Sequence, residues 1–206
     1  MQSETDRRTE MGWIEDGVLH ELWKVNQRPL YAEALRCVSN KQVTDVALKA
    51  AHHIREEAVE LSWRRVALGM QPLNHRHFYV GGLAIGIVPR GRHGEYDWWV
   101  SAAWNTKPHP GDEKYCSEKR LGKRALKEGC RCIVSVAVVG ERNDDSRSGI
   151  SYKTLEPCES CRDDMRGIFR SLYRRDTRIL MENPHNAARS IKTVSQLMRG
   201  HGEAWT

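Results

Sequence analysis

Apolar residues recur every three or four positions along two stretches near the start of the chain. The first covers residues 13 to 38, with Pro29 interrupting it, and the second runs from about residue 43 to residue 68. This spacing puts the apolar side chains on one face of a helix, so it predicts amphipathic helices in both stretches. Residues 1 to 12 are polar with charges of both signs, and we expect a disordered tail there.

The period changes to that of β-strands after residue 77. Residues 77–88 and 97–105 are strand-like on either side of the turn-rich segment PRGRHGEY, which predicts a β-hairpin. The continuous apolar run 132–140 is typical of a strand buried on both faces. Two more strands are expected at 149–156 and 178–182.

Three helices are predicted among these later strands. One starts at Cys116 and ends before Gly129, one begins near Pro157, and one covers residues 188–199. The order of elements predicts an α/β fold with three layers, in which a mixed five-stranded sheet is covered by helices on both faces. The helices before residue 43 are extra to this core, and they could cover a sheet edge, make an oligomer contact or close over the site.

Composition restricts the class of protein without identifying it. Hydrophobic residues make up 39% of the chain and charged residues 29%, which suits a globular protein in water. No apolar run reaches eighteen residues, so no membrane span is expected. The polar start lacks an apolar leader and predicts a cytoplasmic protein. In a reducing compartment its six cysteines are expected to be thiols or metal ligands.

Three of the cysteines stand where predicted helices begin. Cys116 opens one helix, and Cys158 and Cys161 lie three residues apart after Pro157, which suits a first helical turn. Residues at i and i+3 share a face, so both sulfurs of the pair can reach one ion. The helix dipole at each terminus favours the thiolate, the form that binds metal.

Three protein ligands leave one tetrahedral position open for water, as in catalytic zinc sites. Glu118 follows Cys116 by two residues and would lie beside that water, where it could carry protons to a ring nitrogen. A structural alternative joins Cys130 and Cys132 to Cys158 and Cys161 in a four-cysteine zinc site. Cys132, however, opens the most apolar strand, where a thiol acts as a small hydrophobe.

The segments Cys116-Ser117-Glu118 and Pro157-Cys158-Glu159-Ser160-Cys161 resemble the signature of the zinc deaminases, in its three-cysteine form. From about residue 43 to about residue 200 the chain resembles the cytidine deaminase superfamily. The resemblance implies a cytidine-deaminase-like fold, zinc on Cys116, Cys158 and Cys161, Glu118 as the catalytic acid and base, and a homo-oligomer, either dimer or tetramer. It divides the chain into a tail (1–12), an N-terminal helical extension (13–42) and a catalytic domain (43–206).

Finer features point to two branches of that superfamily. Cysteine in the first motif, with Arg162 after the last ligand, is similar to free cytidine and blasticidin-type deaminases, where arginine would offset thiolate charge. The segment TLEPC and the pair Trp104-Asn105 are similar to tRNA adenosine deaminases and related enzymes. In both branches a nearby asparagine contacts the nucleoside, so Asn105 is predicted to bind substrate. Trp104 either packs in the core or stacks on a base.

The expected activity is that of a zinc-dependent deaminase, a hydrolase acting on C–N bonds in cyclic amidines. Its expected substrate is a small cytosine-type nucleoside or derivative, with ammonia as a product. Alternatives are a base in single-stranded DNA or RNA, which the formal charge of +6 would suit, and a specialised metabolite. A non-catalytic, zinc-stabilised binding module is the alternative outside enzymes.

Overall fold

The computed structural model describes residues 4–90, 95–107, 109–111, 115–140 and 155–199, without the side chains of residues 4–11. The helices are α1 (Glu4–Val25), α2 (Tyr31–Val38), α3 (Lys41–Ala67), α4 (Ser117–Lys127), α5 (Glu159–Arg166) and α6 (Val194–Arg199). The strands are β1 (Val80–Arg90), β2 (Glu95–Trp104), β3 (Cys132–Gly140), β4 (Tyr173–Glu182) and β5 (Arg189–Thr193). No helix in these ranges is long and apolar enough to cross a bilayer.

The five strands form one mixed sheet in the order β2-β1-β3-β4-β5. Only the β3–β4 pair is parallel, and the β1–β2 pair is the predicted hairpin. Val80 pairs with Gly140 and Gly81 with Trp104, so the start of β1 lies beside the ends of β2 and β3. The chain segments that leave these strands therefore meet at one edge of the sheet, called here the site edge.

Helices cover both faces of the sheet, so the predicted three-layer α/β/α architecture is confirmed. Helices α1, α2 and α3 pack on one face, where Leu22, Ile54 and Leu83 belong to one core cluster. Helices α4, α5 and α6 pack on the other, where Leu121, Met165 and Met198 belong to a second. Burying apolar area on both faces stabilises the sheet by roughly 25 cal/mol per Å² removed from water, and it fixes the helix positions at the site edge.

The predicted strand 178–182 is confirmed within β4, but β5 was not predicted as a strand. Of the predicted strand 149–156, residues 149–154 lie outside the described residues, and 155–156 are not in a strand. Instead β5 pairs antiparallel with β4, inside a stretch predicted to be helical. The helical pattern is correct only for α6, because Val194, Leu197 and Met198 face the core at i, i+3 and i+4. Residues 189–193, which precede α6, form a strand because they hydrogen-bond to the edge of β4. Their mostly polar side chains do not show the alternation that would predict a strand.

The N-terminal helices pack against the sheet. Helix α1 begins at Glu4, earlier than the predicted start at residue 13, in a stretch that contains several good helix formers. On the outer edge of β2, the Glu15 carboxylate accepts a hydrogen bond from the Ala102 N–H at 2.9 Å. Arg124 of α4 donates to the Ala102 carbonyl at 2.7 Å. Both backbone groups of Ala102 on this edge are therefore satisfied by side chains.

Candidate metal centre and active site

Two helix N-termini meet at the site edge, and a cysteine caps each of them. Cys116 is the N-cap of α4 and Cys158 the N-cap of α5, both with extended backbone (ψ 152° and 165°). Their carbonyls accept the first helical hydrogen bonds, from Arg120 and Arg162. Since the N-terminal end of a helix carries partial positive charge, both helices favour negative charge on the sulfurs between them.

The three predicted ligands lie together in the structure. The Sγ atoms of Cys116 and Cys158 are 3.6 Å apart, those of Cys158 and Cys161 are 3.5 Å apart, and all three lie within 4.8 Å of one another. Tetrahedral zinc with Zn–S bonds of about 2.3 Å requires sulfurs about 3.8 Å apart. Cys116 and Cys161 are buried and Cys158 is half-buried. The residues therefore fit a zinc ion with three thiolates and one open position.

Without a cation, these sulfurs oppose one another's ionisation. The hydrogen bond with Cys158 raises the pKa of Cys116 to about 12; Cys161 lowers it, while burial and the Glu118 carboxylate raise it further. Hydrogen bonds from Cys116 and Cys158 also raise the pKa of Cys161. A divalent cation reverses this balance, because it binds thiolates and offsets their mutual repulsion. The site is thus built to ionise together with metal binding.

Glu118 lies on the first turn of α4, beside Cys116, and is 5% exposed. The Ser117 hydroxyl donates to its Oε2 at 2.9 Å and fixes the rotation of the carboxylate. Ser117 is itself fully buried under β1, where a Cβ on Gly82 would lie 2.9 Å from the Ser117 Cβ. The sequence analysis did not single out Ser117. A glycine inside a strand pattern, which often marks a close approach, is the signal that points to it.

Asn105 precedes a bridge that leads to the first cysteine. Thr106 and Tyr115 form an isolated antiparallel bridge, and Asn105 and Cys116 are the residues next to it along the chain. The buried Asn105 amide accepts from the Val80 N–H at 2.7 Å and donates to the Phe78 carbonyl at 2.9 Å. An amide side chain has one further hydrogen and one further lone pair. The structure thus shows a structural role for Asn105 at the start of β1, and its contact with substrate stays a prediction.

The other two predicted residues lie on different sides of the site. Trp104 is half-buried and packs against the core cluster under α1, α2 and α3, on the sheet face opposite α4. Arg162 is 8% exposed and donates from Nη1 to the Pro157 carbonyl at 2.8 Å. It thereby holds the backbone that leads into Cys158. Its predicted effect on thiolate charge stays a prediction.

The four-cysteine alternative is wrong. Cys130 packs with the cluster under α4 and hydrogen-bonds to backbone carbonyls, and Cys132 packs with the cluster on the other face of the sheet. Among the described residues, the group of three or more metal-ligating side chains is Cys116, Cys158 and Cys161.

Comparisons with family models and with curated proteins found no match. Among solved structures, a cytidine deaminase from Burkholderia pseudomallei matches over 71% of this chain and 95% of its own, at 19% identity and a TM-score of 0.45. One from Mycobacterium leprae matches over 75% and 95%, at 19% identity and a TM-score of 0.44. Both are cytidine deaminases, the superfamily that the motifs of this chain resemble. The side chains of the cysteine site, and not these matches, carry the functional inference.

Proposed function

We propose that this chain is a zinc-dependent deaminase that hydrolyses the exocyclic amine of a cytosine-type nucleoside or a derivative of one. One observation carries the proposal. Three cysteine sulfurs lie within 4.8 Å of one another, and the buried Glu118 lies on the helical turn that follows one of them. A purely structural zinc site completes its tetrahedron with a fourth protein ligand and needs no buried carboxylate beside it.

The proposed chemistry assigns proton movements to Glu118. Zinc, when bound, supplies Lewis-acid activation of a water molecule. The Glu118 carboxylate takes a proton from the attacking water, donates it to the ring nitrogen, and then delivers a proton to the departing amine as ammonia. The hydrogen bond from Ser117 holds the carboxylate in one rotamer for these transfers. The oxo product and ammonia balance the substrate and one water.

The remaining predicted residues have supporting roles in this proposal. Asn105, which precedes the bridge between Thr106 and Tyr115, would use its remaining hydrogen-bonding capacity on the nucleoside. Arg162, next to the last ligand, would ease the net negative charge that three thiolates leave around a divalent ion. The predicted homo-oligomer is part of the same proposal and is checked by light scattering.

The test is ammonia release from a panel of nucleosides, bases and nucleotides by zinc-loaded protein. We expect release from at least one cytosine-type compound. Glu118→Ala should keep zinc and lose activity by about 10²-fold or more, the contribution typical of general acid–base catalysis. Glu95→Gln, an exposed acid on β2, serves as the control that should retain activity. Zinc-loaded protein that deaminates nothing in the panel would favour the binding-module alternative, and near wild-type turnover by Glu118→Gln would overturn the mechanism.

A further inference from the structure

An exposed aromatic pair lies where α3 ends and the chain returns toward β1. Trp63 of α3 is 64% exposed, although large aromatic side chains are usually buried. The exposed His77 ring stacks beside it, with centroids 6.3 Å apart and planes tilted by 23°. This pair is called here the Trp63–His77 platform, and both of its side chains are exposed to solvent.

The platform is held in place by its surroundings. His77 has φ of 52°, a left-handed conformation that costs a non-glycine residue on the order of 1 kcal/mol. The His77 N–H donates to the Asn74 carbonyl at 2.9 Å. The buried Tyr79 hydroxyl donates to the Ser62 hydroxyl at 2.6 Å and lies 3.5 Å from Nδ1 of His77. Strain of this kind persists only where surrounding contacts fix it, so the ring of His77 is positioned rather than loose.

Backbone pairing connects the platform to the metal centre. Asn74, three residues before His77, bridges to Lys107, and the neighbouring Thr106 bridges to Tyr115. Each pairing spans about 5 Å, and Cys116 follows Tyr115 directly. Tyr115 adds a further aromatic ring next to Cys116. The Nζ atom of Lys123 lies 5.0 Å from the centroid of this ring. Two bridged pairs thus link the loop that carries His77 to the residue before Cys116, and the surface beside these bridges is called here the rim.

The charge of this rim is positive. From residue 61 to residue 94 the chain contains no aspartate or glutamate. The acid nearest to Trp63 on α3, Glu60, forms an ion pair with Arg64. Arg76 is exposed next to His77, and Lys107 is half-buried on the bridge to the platform loop. Arg65 adds a further positive charge at the end of α3, where its Nε donates to the Gln71 carbonyl. A solvent-facing aromatic surface in a positive field complements a base with its phosphates better than it complements an apolar peptide.

We propose that this rim binds single-stranded nucleic acid. One unpaired base stacks on the Trp63–His77 platform, and Arg76 and Lys107 contact the adjoining phosphates. Stacking requires a base free of its complement, which is why the fitting partner is a single strand. The binding stands apart from catalysis; only the further step, that a neighbouring base of the strand reaches Glu118, rests on the proposed function.

The binding test uses fluorescein-labelled oligothymidylate and oligouridylate of about 12 nucleotides, which contain no cytosine and so separate binding from turnover. Fluorescence anisotropy measures the dissociation constant at about 50 mM and about 200 mM salt. We expect Trp63→Ala to weaken binding by about tenfold, within the range for loss of one base stack. Trp63→Phe should restore much of it. Arg76→Ala should lower the slope of log affinity against log salt by about 0.7, the value for one phosphate contact on a single strand.

The matched control is Trp13→Ala, which removes an exposed tryptophan from α1 (78% exposed) and should bind like wild type. Equal affinity of wild type, Trp63→Ala and Arg76→Ala, or absence of binding by wild type, overturns the proposal. An equal loss in Trp13→Ala overturns it as well, because the effect would then belong to any exposed tryptophan. If the protein binds the oligonucleotides but releases no ammonia from cytosine-containing oligonucleotides or nucleosides, the binding surface is supported and the proposed function is refuted. If it releases ammonia but does not bind the oligonucleotides, only the binding surface is refuted.

Discussion

The close approach of Gly82 to Ser117 leads to a quantitative prediction about catalysis. In Gly82→Ala, the new Cβ would lie 2.9 Å from the Ser117 Cβ, 3.1 Å from its Oγ and 3.2 Å from a Leu121 methyl carbon. Ordinary contact begins at 3.4 Å, so the first turn of α4 has to move by about 0.5 Å. Cys116 is the residue before that turn and Glu118 lies within it, so the proposed metal ligand and the proposed proton carrier are both displaced.

We expect overpacking to cost about 1–3 kcal/mol of the free energy of unfolding. For a chain of 206 residues each kcal/mol lowers Tm by about 2–4 °C. A shift of about 0.5 Å in the catalytic carboxylate should lower kcat/KM by about tenfold or more, since a displacement of about 1 Å is worth about 10²-fold. Scanning calorimetry and ammonia-release kinetics measure the two effects on the same preparation.

Two variants control this prediction. Gly17→Ala makes the same substitution in α1, where nothing lies within 4 Å, and should raise stability by up to about 1 kcal/mol. Ser117→Gly added to Gly82→Ala removes the two closest contacts and should recover part of the lost Tm. If Gly82→Ala kept both the Tm and the kcat/KM of wild type, the packing of β1 against α4 would not position the site.

Three further outcomes are expected. Cys158→Ala and Cys161→Ala should lower both zinc content and Tm, because binding energy contributes to folding; the triple variant that also carries Cys116→Ala would disprove the site if it kept one zinc per chain. Burial raises the pKa of Glu15 in the folded chain, so its contribution to stability is full below the unfolded-state pKa and is lost as pH rises through the raised value. Glu15→Gln should therefore flatten this part of the pH dependence of Tm while still accepting from Ala102. The kcat/KM for deamination of free cytidine should change by less than about twofold between low and moderate salt, because a neutral nucleoside displaces no counterions. A steep decline of kcat/KM with salt would count against free cytidine as the substrate.

Local signals allowed the sequence to predict the cluster of three cysteines. The helix starts at Cys116 and Pro157 are encoded within a few residues, so the convergence of three cysteines followed from the order of elements. The paired amide of Asn105 could not be predicted, because its partners Phe78 and Val80 are some twenty-five residues away along the chain. The fifth strand was misassigned because β5 owes its conformation to pairing with β4.

The Trp63–His77 platform escaped sequence analysis for a different reason. Trp63 falls within a long helical pattern, where one exposed aromatic residue carries no signal of its own. The left-handed backbone of His77 is stabilised by the hydrogen bond from its N–H to the Asn74 carbonyl. The identity of the residue, histidine, does not predict this conformation. Stacking between the two rings thus becomes visible only when tertiary packing is known.

The side chains that satisfy Ala102 make β2 a poor template for another chain. Exposed strand edges invite intermolecular β-augmentation and aggregation, which natural proteins prevent by covering the edge or placing charges on it. Here Glu15 occupies the N–H and Arg124 the carbonyl that an incoming strand would need. A chain shortened to residues 43–206 would lose Glu15 and present that N–H to solvent. We expect such a chain to aggregate at concentrations where the full chain stays monodisperse. The N-terminal helix α1 would then protect the protein against aggregation through the β2 edge.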